Sequence, residues 1–295
     1  MKKILAIALS MIMLLTLFTA CASSADNDGG NTPVQNNAGS TTTAPAESEG
    51  TGAIDNETVA ENIYGEFTTI EDGKLIMATN AFFPPYEYYE GEKIVGIDAE
   101  IAAAIAEKLD LELVIDNMEF NSIITAVTTG AADFGLAGMT VTEERLEQVD
   151  FSISYASGVQ AIVVKEGSAI TTVDDLYAEG AAYKVGVQLG TTGDIYASDD
   201  FGTDLVTQYN NGNEAILALQ KGDVDCVIID NEPAKAFVAA NEGLKVLDTS
   251  YADEDYAACF AQDNDALREA IDAAIEELIM DGTIDAIVEK YIPAN

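Results

Sequence analysis

Arg145 lies in GMTVTEERLEQVDFS, residues 138 to 152, and is one of two arginines in a chain with 13 basic and 52 acidic residues. A guanidinium is a planar fork of donors that matches a carboxylate. The segment reads as a strand end running into a helix start, where unpaired backbone N–H groups also favour an anion. Thr140 and Arg145 therefore form a candidate carboxylate site, with Glu143 placed to close a capping box on Thr140. QLGTTGD, residues 188 to 194, is a second turn of this kind, whose glycines and threonines expose amides at a helix start. The opposite charge comes from Asp230, which closes VIID at the C-terminal end of an expected parallel strand, where open α/β sheets hold ligands. The same residues also have plain structural roles open to them: Asp230 as a helix N-cap, and Arg145 as a partner of Glu144 or Asp150. Phe82, Phe83, Tyr86, Tyr88 and Tyr89 crowd one loop after the first expected strand, stiffened by Pro84 and Pro85; they, like Phe120, either line a pocket or pack under one.

Composition narrows the chemistry. The 295-residue chain has no histidine, which removes Ser/His and Cys/His nucleophiles and imidazole metal sites, so no metal and no cofactor is expected. A formal net charge of −39 excludes nucleic acid as a partner and reads as solubility spread over solvated faces. Cys226 and Cys259 fall in the apolar stretches VDCVII and YAACFA, which predicts two buried free thiols, with a disulfide between them left open.

The N-terminus is a targeting segment. MKK precedes the apolar ILAIALSMIMLLTLFTA, which ends at Cys21 and resembles a bacterial lipoprotein signal; residues 1–20 are then the signal and Cys21 the lipidated first residue. Residues 22 to 58 are rich in Ser, Thr, Gly, Asn and Ala and contain no aromatic residue, so residues 21–66 are read as a lipidated cysteine and flexible linker. A coil of about 40 residues holds a domain roughly 35 Å from its anchor.

From Lys74 onward, short apolar runs alternate with amphipathic segments, the pattern of an α/β architecture with largely parallel sheets. The spacing predicts strands at 74–80, 112–116 and 131–138, a helix at 97–109, and a helix in SIITAVTTG capped by Asn121. A similar series follows, with strands at 183–188 and 223–230 and a helix from NEPAKAFVAANEG that begins with Asn231 as cap and Pro233 in its first turn. Residues 264 to 291 are helical with a break at Gly282. Two series suggest two lobes.

NAFFPPYEY, GIDAEIAAAIAEKL, EFNSIITAV, GMTVTEERLEQVDFS, VGVQLGTTGD and VIIDNEPA occur in this order over residues 73 to 291. Together they make the chain resemble the family 3 extracellular solute-binding proteins that deliver polar amino acids to ABC transporters. The resemblance implies an α/β, two-lobed periplasmic-binding-protein-like (type II) fold. Each lobe is a mostly parallel sheet flanked by helices, and the lobes are joined by a two-strand hinge, with 67–157 and 258–295 as lobe 1 and 158–257 as lobe 2. It implies that Arg145 and the amides of Thr140 and Thr192 bind an α-carboxylate, and that Asp230, the Gly138 carbonyl and the Thr140 hydroxyl bind the α-ammonium. Phe83 and Phe120 sandwich the side chain, and Asn80 and Gln188 reach its distal part. The implied partners are a small-molecule amino acid and a permease, with the membrane met through the lipid anchor only. The implied setting is a monomer on the outer face of the cell membrane, in a Gram-positive-type bacterium. Asn80 stands where relatives that grip a basic side chain often present a carboxylate, and Ile229 adds an apolar wall, so an uncharged side chain is the expectation. The alternative is a cleft enzyme similar to cyclohexadienyl dehydratases, for which Glu90 and Glu143 are the acidic candidates; nothing in the sequence marks an activated carboxylate, and a non-enzyme is expected.

Overall fold

The computed structural model describes residues 63–248 and 250–293; the signal, Cys21 and nearly all of the expected linker lie outside them. The described chain begins with β1 (Lys74–Thr79), β2 (Phe82–Phe83), β3 (Glu87–Glu90), β4 (Lys93–Val95), α1 (Ile97–Lys108) and β5 (Glu112–Asn117). A 3₁₀ turn at Phe120–Ser122 leads into α2 (Ile123–Thr128), β6 (Phe134–Gly135), α3 (Glu143–Leu146), β7 (Val149–Phe151) and the long β8 (Ala156–Lys165). Then come β9 (Val185–Gln188), α4 (Thr192–Phe201), β10 (Val206–Tyr209), α5 (Gly212–Lys221), β11 (Cys226–Asp230), α6 (Asn231–Ala240), β12 (Leu244–Val246), β13 (Ala252–Tyr256) and β14 (Cys259–Ala261). The helices α7 (Asp265–Met280) and α8 (Thr283–Tyr291) close the chain.

Two main sheets result. The first runs β5-β1-β6-β14-β7, with β5, β1 and β6 parallel and β14 antiparallel to both neighbours. The second runs β10-β9-β11-β8-β12, with β10, β9 and β11 parallel and β8 antiparallel to β11, β12 and β13. Strand β1 is apolar without alternation because both of its faces are covered. Leu75 and Met77 join Ile101, Ile105, Phe260 and Ile275 in one core, while Ile76 and Ala78 join Ile123, Val127 and Val149 in another. The second sheet divides likewise: Val163, Val227 and Ile229 face one core, and Ile162, Val164 and Ile228 face another. Each such side chain contributes about 1.5–3 kcal/mol by leaving water.

The chain crosses between the sheets at residues 152–155 and 257–258. The Ser152 N–H donates to the Ala258 carbonyl at 2.9 Å, the Ala258 N–H to Ser152 Oγ at 2.9 Å, and the Tyr155 N–H to the Tyr256 carbonyl at 3.0 Å. The crossover is thus a hydrogen-bonded pair of chain segments, continued by β13 on β8. These contacts form the two-strand hinge of the type II fold.

Several local expectations differ from what forms. The strand at 131–138 shrinks to Phe134–Gly135, since a parallel partner reaches only Met77 and Ala78 of β1. Helix α2 starts after Ser122, with no side-chain cap from Asn121, because the 3₁₀ turn occupies its first residues. Thr142, not Thr140, caps α3 by accepting the Arg145 N–H, and Glu143 is the first helical residue, so the capping box on Thr140 does not form. The cap position of α6 is Asp230, without a side-chain bond, and Asn231 is already helical. The aromatic segment after β1 is no loop: β2, β3 and β4 make a small antiparallel sheet that turns Phe83 and Tyr86 inward and leaves Phe82 and Tyr89 exposed. Cys226 and Cys259 are buried free thiols, each pushed by burial up to about 12.

Candidate functional site

Between the sheets lies a cavity lined by Asn80, Phe83, Phe120, Gly138, Thr140, Arg145, Gln188, Thr192 and Asp230, joined by Glu87, Ala137 and Thr191. Every ligand-binding candidate named from the sequence is in that wall.

One end is cationic. Arg145 is 5% exposed; one Nη donates to the Thr140 carbonyl at 2.6 Å and the other to the Gly190 carbonyl, on the second sheet's side, at 3.1 Å. The guanidinium carbon stands 5.4 Å from the centre of the Phe120 ring, a cation–π distance. No carboxylate among the described residues pairs with Arg145, Glu144 and Asp150 included. Burial pulls its pKa below the ordinary arginine value, and the nearby negative charge of Glu254 partly offsets this. Beside it α4 begins: the Thr191 hydroxyl takes the Asp194 N–H, Asp194 takes the Gly190 N–H at 3.0 Å, and the Thr192 amide is left at the positive end of the helix.

The other end is acidic. Asp230 closes β11 in the second sheet and is 7% exposed. Its oxygens accept from Gln160 Nε2 at 2.7 Å and from the Tyr256 hydroxyl, and Gln160 Nε2 also reaches Glu254 at 2.9 Å. Burial, then the charge of Glu254, hold the Asp230 carboxyl well above the usual carboxylate range. Gly138 supplies a carbonyl in a left-handed conformation, φ 52°, that only glycine adopts at little cost; a Cβ there would stand 2.8 Å from Phe83 Cε1. Asn80 and Gln188 meet across the gap, Gln188 Nε2 donating to Asn80 Oδ1 at 3.0 Å, while Asn80 Nδ2 is held by the Met118 carbonyl at 2.7 Å.

The family follows from this fold and from the sequence over residues 75–294, which match the model of the bacterial extracellular solute-binding proteins, family 3. The chain belongs to that family. An arginine-binding extracellular protein, ArtP of Bacillus subtilis (strain 168), is 33% identical over 227 residues, covering 74% of this chain and 86% of that protein. Among solved structures, an ancestral arginine-binding protein bound to glutamine is 39% identical with a TM-score of 0.71, over 76% of this chain and all of that one. The same kind of ancestral protein bound to arginine is 40% identical with a TM-score of 0.69, over 75% of this chain and 98% of that one.

Within this solute-binding protein, Glu90 and Glu143, the acids considered for cleft catalysis, are exposed and outside the cavity. Besides Asp230, the cavity is lined by a second carboxyl that the sequence did not point to, Glu87, wholly buried at the start of β3. Its burial comes from α1, whose Ile97 and Asp98 amides donate to the Pro85 and Tyr86 carbonyls and so draw the β2–β3 segment onto the helix. A Glu in an exposed-looking EYYE strand carries no local sign of that contact.

Proposed function

We propose that this protein binds one polar L-amino acid between its lobes, 67–157 with 258–295 and 158–257, and closes on it to present it to the permease of an ABC importer. The observation that carries this reading is the pairing of ends in one cavity: a buried guanidinium without a carboxylate partner on the first lobe, and Asp230 on the second. A zwitterion withdrawn from water needs both charges met. Arg145 with the Thr192 amide takes the carboxylate; Asp230, with the Gly138 carbonyl and Thr140 hydroxyl, takes the ammonium. Phe83 and Phe120 flank the side chain, and Asn80 and Gln188 hydrogen-bond its end. Because each lobe holds half of the site, the ligand stabilises the closed arrangement. The relatives' names as binding proteins support a carrier over an enzyme.

For the side chain, Asn80 and Gln188 favour an uncharged amide such as that of glutamine. A second reading, a cationic side chain such as that of arginine, is favoured by Glu87, whose carboxyl faces the same cavity. The N-terminal signal reading supports a monomeric lipoprotein anchored through Cys21 on the outer face of a Gram-positive-type cell membrane. A thermal-shift screen of the twenty amino acids and cystine tests the function. Polar members should raise the melting temperature with concentration, as binding to the folded state requires; no shift with any of them overturns the reading.

A further inference from the structure

Glu87, in the wall of the cavity, and the α1 residue Asp98 lie carboxyl against carboxyl, both wholly buried. Asp98 uses one oxygen, Oδ2, to accept the Gly138 N–H at 2.7 Å and the Tyr155 hydroxyl at 2.9 Å. Its Oδ1 and both oxygens of Glu87 receive no donor from the described residues, and neither carboxyl has an ion-pair partner among them. The groups facing Glu87 leave its charge unmet. Asp98 comes from α1 and Asp230 from β11, both acids, and Tyr86 and Tyr155 add phenols held neutral by burial. Arg145 lines the same cavity but is committed to the Thr140 and Gly190 carbonyls.

Two touching carboxyls without a cation share one proton, since like charges at that distance cannot both ionise in a dry site. A Glu87 O–H donated to Asp98 Oδ1 satisfies the vacant acceptor. Burial raises Glu87 well above the usual carboxylate range and pushes Asp98 up to about 6, which leaves the proton on Glu87.

We propose that Glu87 and Asp98 form the pair that determines side-chain specificity: they keep one proton between them against a neutral side chain and release it to solvent against a cationic one. This rests on the amino-acid reading above. With glutamine the pair keeps a single negative charge and its proton. With arginine the guanidinium replaces the proton as the counter-charge of Glu87, the pair goes from one negative charge to two, and the proton leaves to the buffer. Arginine affinity therefore rises with pH relative to glutamine affinity, by up to about tenfold per unit while the free pair still holds its proton.

Calorimetric titration of the protein with arginine and with glutamine at pH 7, in two buffers of different ionisation enthalpy, counts the protons. The expected result is about one more proton released with arginine than with glutamine, a release from Asp230 on meeting the α-ammonium being common to both. In Glu87→Gln this excess should vanish and the ratio of arginine to glutamine affinity fall by roughly 30-fold or more. The wild-type proton count stands even if the variant does not fold. Equal proton counts for the two ligands, an excess that persists in Glu87→Gln, or glutamine binding with no arginine binding up to about pH 9 overturns the role of the pair and leaves the amino-acid reading intact. If neither ligand nor any other amino acid binds, the amino-acid reading itself fails, and this proposal with it.

Discussion

Arg145 is held by two backbone carbonyls and a ring, and no acid among the described residues forms an ion pair with it, an arrangement that costs stability unless a ligand carboxylate arrives. Replacing it separates function from folding. Arg145→Ala should weaken amino-acid binding by about 3–5 kcal/mol, the loss of one partner of a buried pair, while leaving the unliganded melting temperature unchanged or higher. Arg145→Lys should fare little better, because an ammonium cannot span the Thr140 and Gly190 carbonyls and a carboxylate together. Calorimetry with thermal unfolding checks both; a variant that unfolds early and binds normally would make Arg145 a structural residue. The polar ends of the site were legible because their residue types are chemically singular in this chain: one of two arginines at a helix start, and one aspartate at a buried strand end. Glu87 and Asp98 were not. Asp98 reads as an ordinary first-turn acid favoured by the helix dipole, and its burial depends on Gly138 and Tyr155, which are remote in sequence.

At the scale of elements, the site depends on how closely the β2–β3 segment approaches α1 and how closely the hinge approaches β11. Gly96 has φ 127°, and a Cβ there would stand 2.2 Å from the Tyr86 carbonyl oxygen that accepts the Asp98 amide. Gly96→Ala should therefore cost more than about 2 kcal/mol in chemical denaturation and loosen the wall carrying Glu87. Gly158 on β8 leaves room for the Tyr256 hydroxyl, which an added Cβ would approach to 2.0 Å, and that hydroxyl donates to Asp230. Gly158→Ala should lower ligand affinity at least about tenfold by displacing this donor, which titration calorimetry would detect. The order of strands and helices was readable because each has its own period and punctuation, with Leu267, Ile271, Ile275 and Leu278 marking α7 and Gly282 its stop. The small sheet β2-β3-β4 and the short β6 were not, since two-residue strands are defined by what they pair with and carry no period.

For the molecule as a whole, the buried acids and the net charge of −39 act in the same direction with pH. Glu87 and Asp230 have folded pKa values raised above the usual carboxylate range, chiefly by burial. Such groups stabilise the fold fully below about pH 4, the unfolded carboxylate range, and that contribution is lost as pH rises through their folded values. The unliganded protein should accordingly be more stable at mildly acidic than at alkaline pH. High salt should flatten only the part due to surface repulsion, because buried pairs are poorly screened. A melting temperature that rises steadily from pH 5 to pH 9 would contradict this. On the proposed reading, closure is a matter of charge bridging: two half-sites on separate sheets, joined by the hydrogen-bonded segments at 152–155 and 257–258, would be completed by one dipolar molecule. The most direct test is calorimetry of the amino acid that best stabilises the protein against its decarboxylated amine and its Nα-acetyl derivative. The account predicts that losing either charged end costs at least about 100-fold in affinity; an amine or an acetylated derivative that binds as tightly as the parent amino acid would contradict it.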